Sequence, residues 1–365
     1  MRAPRVLVLG SVLGQPPGGV RRHNAELLPR VAELLSERGG ELLVLEGRER
    51  MAFTLPDCVQ VLRSDIPSHP PLARVRAENR LLGALAHGSC DLVHGAHLPL
   101  AGRHALPCTL LIHDLRRLDP SFGSWVQRWF ARTVLSHALS RARGLAVVSE
   151  AMRTELAQRM SIPSERIAVI PNSADHLPVL ARCPTEQAGL ITLGHLEPRK
   201  NLELLLRALA VDAGLPPLEI HGAEKGNEGA RLKSLALELG IADRVKFCGP
   251  IAEEALPQLY ARAAAAVFPA RIEGFGIGAL EAAQAGCPVA VSAIAAHREI
   301  VPQAPCFDPA DARDCARAIR RAMHSAGEAA RSGPLNARRF SWDRSAAALA
   351  DFWCRVHADS ARNRS

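Results

Sequence analysis

The chain has 365 residues, which is too long for one ordinary domain, and its 48% hydrophobic and 22% charged residues indicate a folded protein of about two domains. Its 45 basic residues outnumber its 37 acidic residues and give a net charge of +8. Only four of the basic residues are lysines, and the arginines are spread along the chain without a basic tail or a nucleic-acid signature. Nucleic acid is therefore not an expected partner. No apolar run approaches the ~20 residues of a membrane span. The nine cysteines form no CxxC pair and the N-terminus does not resemble a secretory leader, so we expect a reduced cytoplasmic enzyme.

Short apolar runs alternate with longer helical patterns along the chain. The runs predicted as strands are residues 5–10, 41–46, 59–64, 91–96, 108–114, 144–149 and 166–172, followed by 189–194, 218–223, 244–249, 265–270 and 287–292. Apolar residues spaced by three and four fill the gaps, as in residues 21–40, which end at a Gly-Gly pair. This alternation predicts βαβ units, mostly parallel sheets and helices on both faces.

The alternation pauses once, in a proline-containing polar stretch at residues 173–187. We therefore predict two Rossmann-like domains, at residues 1–175 and 189–340, joined by a linker at 176–188. The two domains would face each other across a cleft, where ligands usually bind.

The segment RIEGFGIG (271–278) lies between a predicted strand and a predicted helix that ends at Gly286. It therefore occupies the carboxyl end of a parallel strand and a helix N-terminus, where open α/β sheets bind ligands and glycines let phosphates approach backbone N–H groups. Glu273 in the loop and Glu281 about one turn into the helix would accept hydrogen bonds from hydroxyls at two places on one elongated ligand. Such a ligand, with phosphate between its hydroxyls, is a nucleotide sugar.

The same glycines also fit G-x-G-x-x-A from Gly274, a weak match to the dinucleotide fingerprint of dehydrogenases. That interpretation requires an acid near the end of the next strand, and CPVAVSAIAAH (287–297) contains none. The first strand also lacks the fingerprint. A dehydrogenase is therefore disfavoured.

Several stretches resemble the retaining glycosyltransferases of family 4, which have the GT-B fold. EGFGIGALEA is similar to their E-x7-E element, LGHLEPRKNLELLLRAL (193–209) to the donor-phosphate loop, and QPPGGVRRHNAELLPRVAELL (15–35) to the glycine loop and first helix. FSWDRSAAALADFW (340–353) resembles their terminal helix. The resemblance implies an α/β fold of two doubly wound domains, with residues 341–365 as a C-terminal helix that returns to the first domain.

The resemblance also implies roles for individual residues. Arg199 and Lys200, expected at a helix start, match the pair that binds the donor diphosphate, where cations would stabilise the charge on the leaving group. Glu281 matches the glutamate that binds the donor ribose, and Glu273 matches the one near the donor sugar. His113 matches a histidine close to the transferred sugar and the acceptor. The catalytic candidates are thus His113, Arg199, Lys200 and Glu273, and the other donor contacts are expected from Gly18, Gly19, Gly274, Phe275, Gly276 and Glu281.

Asp91, His94 and His97 could suggest a metal site, but the sequence contains no D-x-D motif. We therefore interpret the two histidines as strand-end residues and expect neither a metal nor another cofactor. For Gly18 and Gly19, an ordinary turn is the alternative to a role in binding.

Residues 124–144 are predicted to be helical, with Trp125, Trp129 and Phe130 interleaved with arginines. We expect this helix to pack on the sheet of the first domain. Peripheral contact with an anionic membrane is the alternative, because a basic aromatic helix can lie on such a surface.

Three positions depart from the family pattern. Gly278 replaces a common proline, His195 replaces a common arginine, and residues 293–300 lack a common Gly-Gly pair, which leaves the donor open. The sequence thus predicts transfer of a hexose, with mannose favoured, from a GDP- or UDP-sugar to a hydroxyl of a glycan, a lipid-linked or a small-molecule acceptor. The alternatives are a nucleotide-sugar epimerase or hydrolase and a non-catalytic sugar-nucleotide-binding subunit.

Overall fold

The computed structural model describes residues 2–15, 18–85, 89–102, 106–119, 123–185 and 188–362. Pro16 and Pro17 of the predicted glycine loop, residues 186–187 of the predicted linker and the last three residues therefore lie outside the described part. The chain forms two compact units, one of Met1–Asn172 with Trp342–Ser365 and one of Ser173–Ser341. We call them the first and the second unit.

The first unit is built on a parallel sheet. Its described strands are β1 (Arg5–Gly10), β2 (Glu41–Glu46), β3 (Val59–Arg63), β4 (Leu92–Gly95), β5 (Cys108–Ile112), β6 (Gly144–Val147) and β7 (Ile167–Val169). They lie in the order β3-β2-β1-β4-β5-β6-β7, which is the doubly wound arrangement. Its described helices are α1 (Gly19–Glu37), α2 (Pro71–Ala84), α3 (Trp125–Arg141), α4 (Glu150–Met160) and, after the second unit, α12 (Trp342–Arg362).

The second unit repeats this plan. Its described strands are β8 (Leu190–Leu193), β9 (Leu218–His221), β10 (Val245–Gly249), β11 (Ala265–Phe268), β12 (Val289–Ser292) and β13 (Cys306–Phe307), in the order β10-β9-β8-β11-β12-β13. Its described helices are α5 (Leu202–Val211), α6 (Glu228–Glu238), α7 (Leu256–Arg262), α8 (Ile277–Gln284), α9 (Ala295–Ile300), α10 (Ala312–His324) and α11 (Ala326–Ala337). Leucines of α5 and alanines of α10 pack on one face of this sheet and form its core.

The predicted strands are confirmed, most of them one to three residues shorter than expected at their ends. The two-residue strand β13 was not predicted, because two residues show no alternation. The described part of the predicted linker has no helix or strand and is hydrogen-bonded to the second unit: the Arg182 guanidinium donates to the carbonyls of Tyr260 (2.6 Å) and Ala263 (2.8 Å).

The predicted return of the C-terminal helix to the first unit is confirmed by α12. Trp342 and Trp353 are fully buried there, and the Trp353 indole N–H donates to Nδ1 of His94 at 3.2 Å. Arg38 of α1 also pairs with Asp351 of α12 at 2.6 Å. None of the described helices has the length and apolarity needed to cross a bilayer.

The helix predicted at 124–144 contacts strand β5 of the first unit's sheet, as expected, but its aromatic residues do not face that sheet. The helix α3 exists and begins at a capping box formed by Ser124 and Gln127, but its buried residues are Leu135 and Ala138. Trp125 and Trp129 are 72% and 63% exposed. Both faces of α3 carry apolar residues, so the sequence pattern does not identify the face that meets the sheet.

Candidate active site

The expected donor residues follow two neighbouring strands of the second unit. Arg199 and Lys200 follow β8, whereas Glu273, Gly276 and Glu281 follow β11, and β8 and β11 are adjacent in the sheet. The chain order reverses between these strands, since β9 lies on one side of β8 and β11 on the other. Ligands of doubly wound sheets bind outside the carboxyl ends of the strands at such a reversal.

Arg199 and Lys200 were expected to begin a helix. They instead form a single 3-10 turn, Pro198–Lys200, just before α5. The turn ends at Asn201, which has a left-handed backbone with φ 55°. The buried Asn201 amide donates to the carbonyls of Pro269 (3.1 Å) and Pro309 (2.9 Å). Asn201 therefore fastens the loop after β8 to the loop after β11, a role that its sequence position did not indicate.

The two cations converge on Glu273. The Lys200 ammonium lies 2.5 Å from one carboxylate oxygen and the Arg199 guanidinium 2.9 Å from the other. Arg199 also pairs with Glu197 at 2.7 Å, so it bridges two acids. Burial alone would raise the pKa of Glu273, but Lys200 and Arg199 outweigh it and lower that pKa to about 2. Glu273 is thus a carboxylate at neutral pH and a very weak base.

The Lys200 side chain occupies space that a glycine leaves open. Gly194 has φ +138°, and a Cβ built there would lie 2.9 Å from Cε of Lys200 and 3.1 Å from its Nζ. Any larger residue would strain the backbone and displace the ammonium.

The glycine-rich loop ends at Gly276, whose backbone is left-handed with φ 94° and which precedes the first turn of α8. A Cβ on Gly276 would lie 3.0 Å from the ring of His297. His297 is buried, its Nδ1 is 3.1 Å from the Ser292 carbonyl, and burial lowers its pKa to about 4, so its ring is neutral. The buried Phe275 side chain packs edge-on against Phe340.

Glu281 lies in α8, as predicted, but it is buried with only 5% of its surface exposed. The Tyr260 hydroxyl donates to one carboxylate oxygen at 2.9 Å, and Nε2 of His176 lies 3.6 Å from the other. Tyr260, the only tyrosine in the sequence, was not predicted. Its distance of 21 residues from Glu281 gives no periodic signal.

The first unit has the same kind of strand reversal, between β1 and β4. Its candidate residues follow β1 and β5 in the chain. Gly18 has an extended backbone and precedes α1, and Gly19 is the first residue of that helix. His113 follows β5, hydrogen-bonds to the backbone of Ala96, and has a buried Nε2 with no partner among the described residues. Burial lowers its pKa well below the usual value.

His23 of α1 was not predicted and lies beside His113, with ring centroids 5.0 Å apart. Its Nδ1 is 2.8 Å from the Asn172 side-chain oxygen, so Nδ1 carries the proton, and Nε2 again has no partner among the described residues. Burial lowers the pKa of His23 to about 4. The first unit therefore presents neutral histidines whose Nε2 atoms accept, rather than donate, hydrogen bonds.

The residues that could have indicated a metal in the first unit have separate partners. Asp91 accepts from the Arg5 backbone at 2.8 Å, His94 contacts Thr109 at 2.9 Å, and His97 contacts the Leu98 carbonyl. Within the described residues, the group with metal-ligand geometry is Glu219, His221 and Cys248, whose ligand atoms lie within 4.8 Å of one another. The Arg262 guanidinium is already 2.5 Å from Glu219, which disfavours a cation there.

Comparison with known proteins agrees with this architecture. Sucrose-phosphate synthase from Thermosynechococcus elongatus superposes with a TM-score of 0.79 at 19% identity, covering 98% of this chain and 100% of that one. Anabaena Alr3699/HepE, solved in complex with UDP and glucose, gives a TM-score of 0.69 at 19% identity and 95% and 98% coverage. The protein therefore has a two-domain, Rossmann-like GT-B fold.

Family models identify the chain more specifically. The model described as Glycosyltransferase Family 4 matches residues 17–176, and that described as Glycosyl transferases group 1 matches residues 181–339. The chain belongs to this group 1, family 4 glycosyltransferase family. The O-antigen chain mannosyltransferase RfbU of Salmonella typhimurium is 27% identical over 224 residues, which are 60% of this chain and 62% of that protein. The chain thus spans about three fifths of this relative.

Proposed function

We propose that the protein is a retaining glycosyltransferase that moves a hexose from a nucleotide diphosphate sugar to a hydroxyl acceptor. The convergence of Lys200 and Arg199 on Glu273, in the loop that leads into α8, carries this proposal, because a diphosphate needs fixed positive charge at a strand reversal. Membership of the family and its E-x7-E spacing support the same activity.

On the donor side, Arg199 and Lys200 bind the diphosphate and stabilise the charge that grows on the leaving group. Glu281, oriented by Tyr260 and His176, accepts hydrogen bonds from the ribose hydroxyls. Glu273 holds the two cations in place and lies near the donor sugar, while the backbones of Gly274, Phe275 and Gly276 contact the sugar or the phosphates.

On the acceptor side, His113 lies near the transferred sugar and the acceptor hydroxyl, and Gly18 and Gly19 offer backbone N–H groups. Burial holds the pKa of His113 well below its usual value, and Lys200 and Arg199 lower that of Glu273 to about 2, so both groups are weak bases that are poorly suited to remove the acceptor proton fully. We therefore propose that the leaving phosphate accepts that proton on the same face of the sugar, which retains the anomeric configuration.

The two cations supply the charge that a metal provides in other transferases, and the sequence has no D-x-D motif, so the proposed reaction needs no metal or other cofactor. Mannose is the favoured hexose, since the relative RfbU is a mannosyltransferase. Either GDP or UDP fits the donor chemistry, and Alr3699/HepE binds UDP. The proposed acceptor is a glycan or a lipid-linked hydroxyl at the cytoplasmic face of a membrane, which the protein contacts peripherally.

Thermal stabilisation by a panel of UDP- and GDP-sugars tests the donor assignment, and transfer to candidate acceptors by the best donor tests the activity. We expect stabilisation by one nucleotide class and a product whose anomeric proton, observed by NMR, has the donor's configuration. Free sugar or an epimer formed without acceptor would indicate a hydrolase or an epimerase. Binding without turnover across all acceptors would indicate a non-catalytic subunit.

A further inference from the structure

The helix α3 exposes an apolar surface directly opposite the face that packs on the first unit. We define this aromatic face as Trp125, Val126, Trp129 and Phe130, which are 51–72% exposed. At ~100° per residue, the centre of these four side chains lies about 180° from the centre of Leu135 and Ala138, the buried residues of α3. The aromatic face is therefore turned away from the body of its unit. An exposed cluster with two tryptophans and a phenylalanine requires an explanation.

The segment that carries the aromatic face has charged side chains of one sign. Residues 120–149 contain no aspartate or glutamate. On the helical wheel the exposed Arg132 lies next to Trp125 at one edge of the face. The surface therefore combines large aromatic rings with an exposed guanidinium group, in a segment that contains no acidic residue.

We propose that the aromatic face of α3 docks on an anionic phospholipid bilayer. Tryptophan and phenylalanine insert at the boundary between headgroups and acyl chains, and Arg132 at the edge of the face pairs with lipid phosphates. A protein partner would match the apolar rings but would not require the one-sided charge. This inference deepens the peripheral membrane contact of the proposed function. It rests on that part of the proposal alone, because Arg199, Lys200 and Glu281, which would bind the donor, belong to the second unit.

Vesicle sedimentation with the full chain tests the proposal. The probes are vesicles of phosphatidylcholine alone and vesicles of phosphatidylcholine with about 30% phosphatidylglycerol, which gives the membrane a strong negative surface charge. We expect binding to the anionic vesicles that weakens at ~0.5 M salt, where surface charges are screened. Trp129→Gln should lower the partition coefficient about tenfold and Arg132→Gln about fivefold.

Leu72→Gln is the matched control, because Leu72 is 60% exposed on α2 of the same unit and lies outside the aromatic face. It should bind vesicles like the unmodified chain. Equal binding to both vesicle types, no binding, or unchanged binding of Trp129→Gln would overturn the proposal. Self-association that Trp129→Gln abolishes, without vesicle binding, would identify a second copy as the partner and overturn it too.

Thermal stabilisation by UDP- and GDP-sugars is measured on the same samples. It should be equal in Trp129→Gln and in the unmodified chain, because α3 belongs to the first unit whereas Arg199, Lys200 and Glu281 belong to the second. Loss of vesicle binding with intact donor stabilisation therefore concerns α3 alone, whereas absent donor stabilisation in both proteins counts against the proposed function.

Discussion

The two units share one strand order but place different polar groups at the reversal of that order. In the second unit, Lys200 and Arg199 are fixed by a carboxylate whose pKa is lowered to about 2. In the first unit, His23 and His113 are neutral and each has a buried Nε2 without a partner among the described residues. The same scaffold thus offers fixed charge on one side and neutral acceptors on the other, which suits a diphosphate in the second unit and hydroxyl donors in the first.

The largest expected effect comes from removing one of the cations. Lys200→Ala should lower kcat by about 10²-fold or more, since it removes a group that stabilises charge on the leaving diphosphate. Lys233→Ala is the control, because Lys233 lies on α6 and contacts Phe247 instead. Steady-state rates of nucleotide release measure both. A folded Lys200→Ala protein with an unchanged rate would show that the positive charge of the second unit does not stabilise the leaving diphosphate.

The acid that fixes the cations should matter for stability. Glu273→Gln leaves Lys200 and Arg199 without their shared carboxylate and should lower the free energy of unfolding by about 2 kcal/mol, which is less than for a fully buried pair because these side chains keep 12–21% exposure. Glu203→Gln removes a carboxylate paired with two more exposed arginines and should cost less than about 1 kcal/mol. Urea unfolding measures both. Equal losses would show that the Glu273 cluster has no special role.

The neutral histidines of the first unit predict a loss of rate without a loss of nucleotide affinity. His113→Ala should lower kcat about tenfold through one missing hydrogen bond, while affinity for UDP or GDP stays within about twofold. Calorimetric titration with the nucleotide and initial rates separate the two quantities. If His113→Ala weakens nucleotide binding as much as Lys200→Ala does, the division of roles between the units is wrong.

Tyr260→Phe sharpens the account of the second unit. It removes the hydroxyl that orients Glu281 and nothing else of the buried ring, so nucleotide affinity should fall about fivefold with kcat at saturating donor unchanged. Unfolding midpoints of the variant verify that the core is intact. A lower kcat with unchanged affinity would assign Tyr260 to the chemical step instead.

The remaining prediction is a pH dependence of stability in the first unit. The folded-state pKa of His23 is about 4 against 6.5 for the free side chain, so between these values the unfolded chain binds a proton that the folded chain excludes. The stability that neutral His23 contributes is complete above pH 6.5 and declines as the pH falls towards 4. The difference in free energy of unfolding between the unmodified chain and His23→Gln should therefore shrink over this range. A constant difference would mean that His23 is not held neutral.

The sequence pattern was sufficient for every strand except β13 and for the loop that carries Glu273, because alternation and glycines are local signals. It placed Glu281 on α8 for the same reason. It could not indicate that Tyr260 holds Glu281, that Asn201 ties two loops, or that His23 lies beside His113, because these contacts join residues distant in sequence. The sequence also could not indicate which face of α3 is exposed, since tertiary packing selects between its two apolar faces.

The central claim is that a diphosphate binds the second unit between Arg199, Lys200 and the first turn of α8. A crystal structure of the protein with UDP or GDP tests it most directly. The account predicts phosphate oxygens within hydrogen-bond distance of both cations and of backbone N–H groups at the start of α8, with the ribose next to Glu281. A nucleotide bound elsewhere, with Arg199 and Lys200 still paired only to their acids, would contradict it.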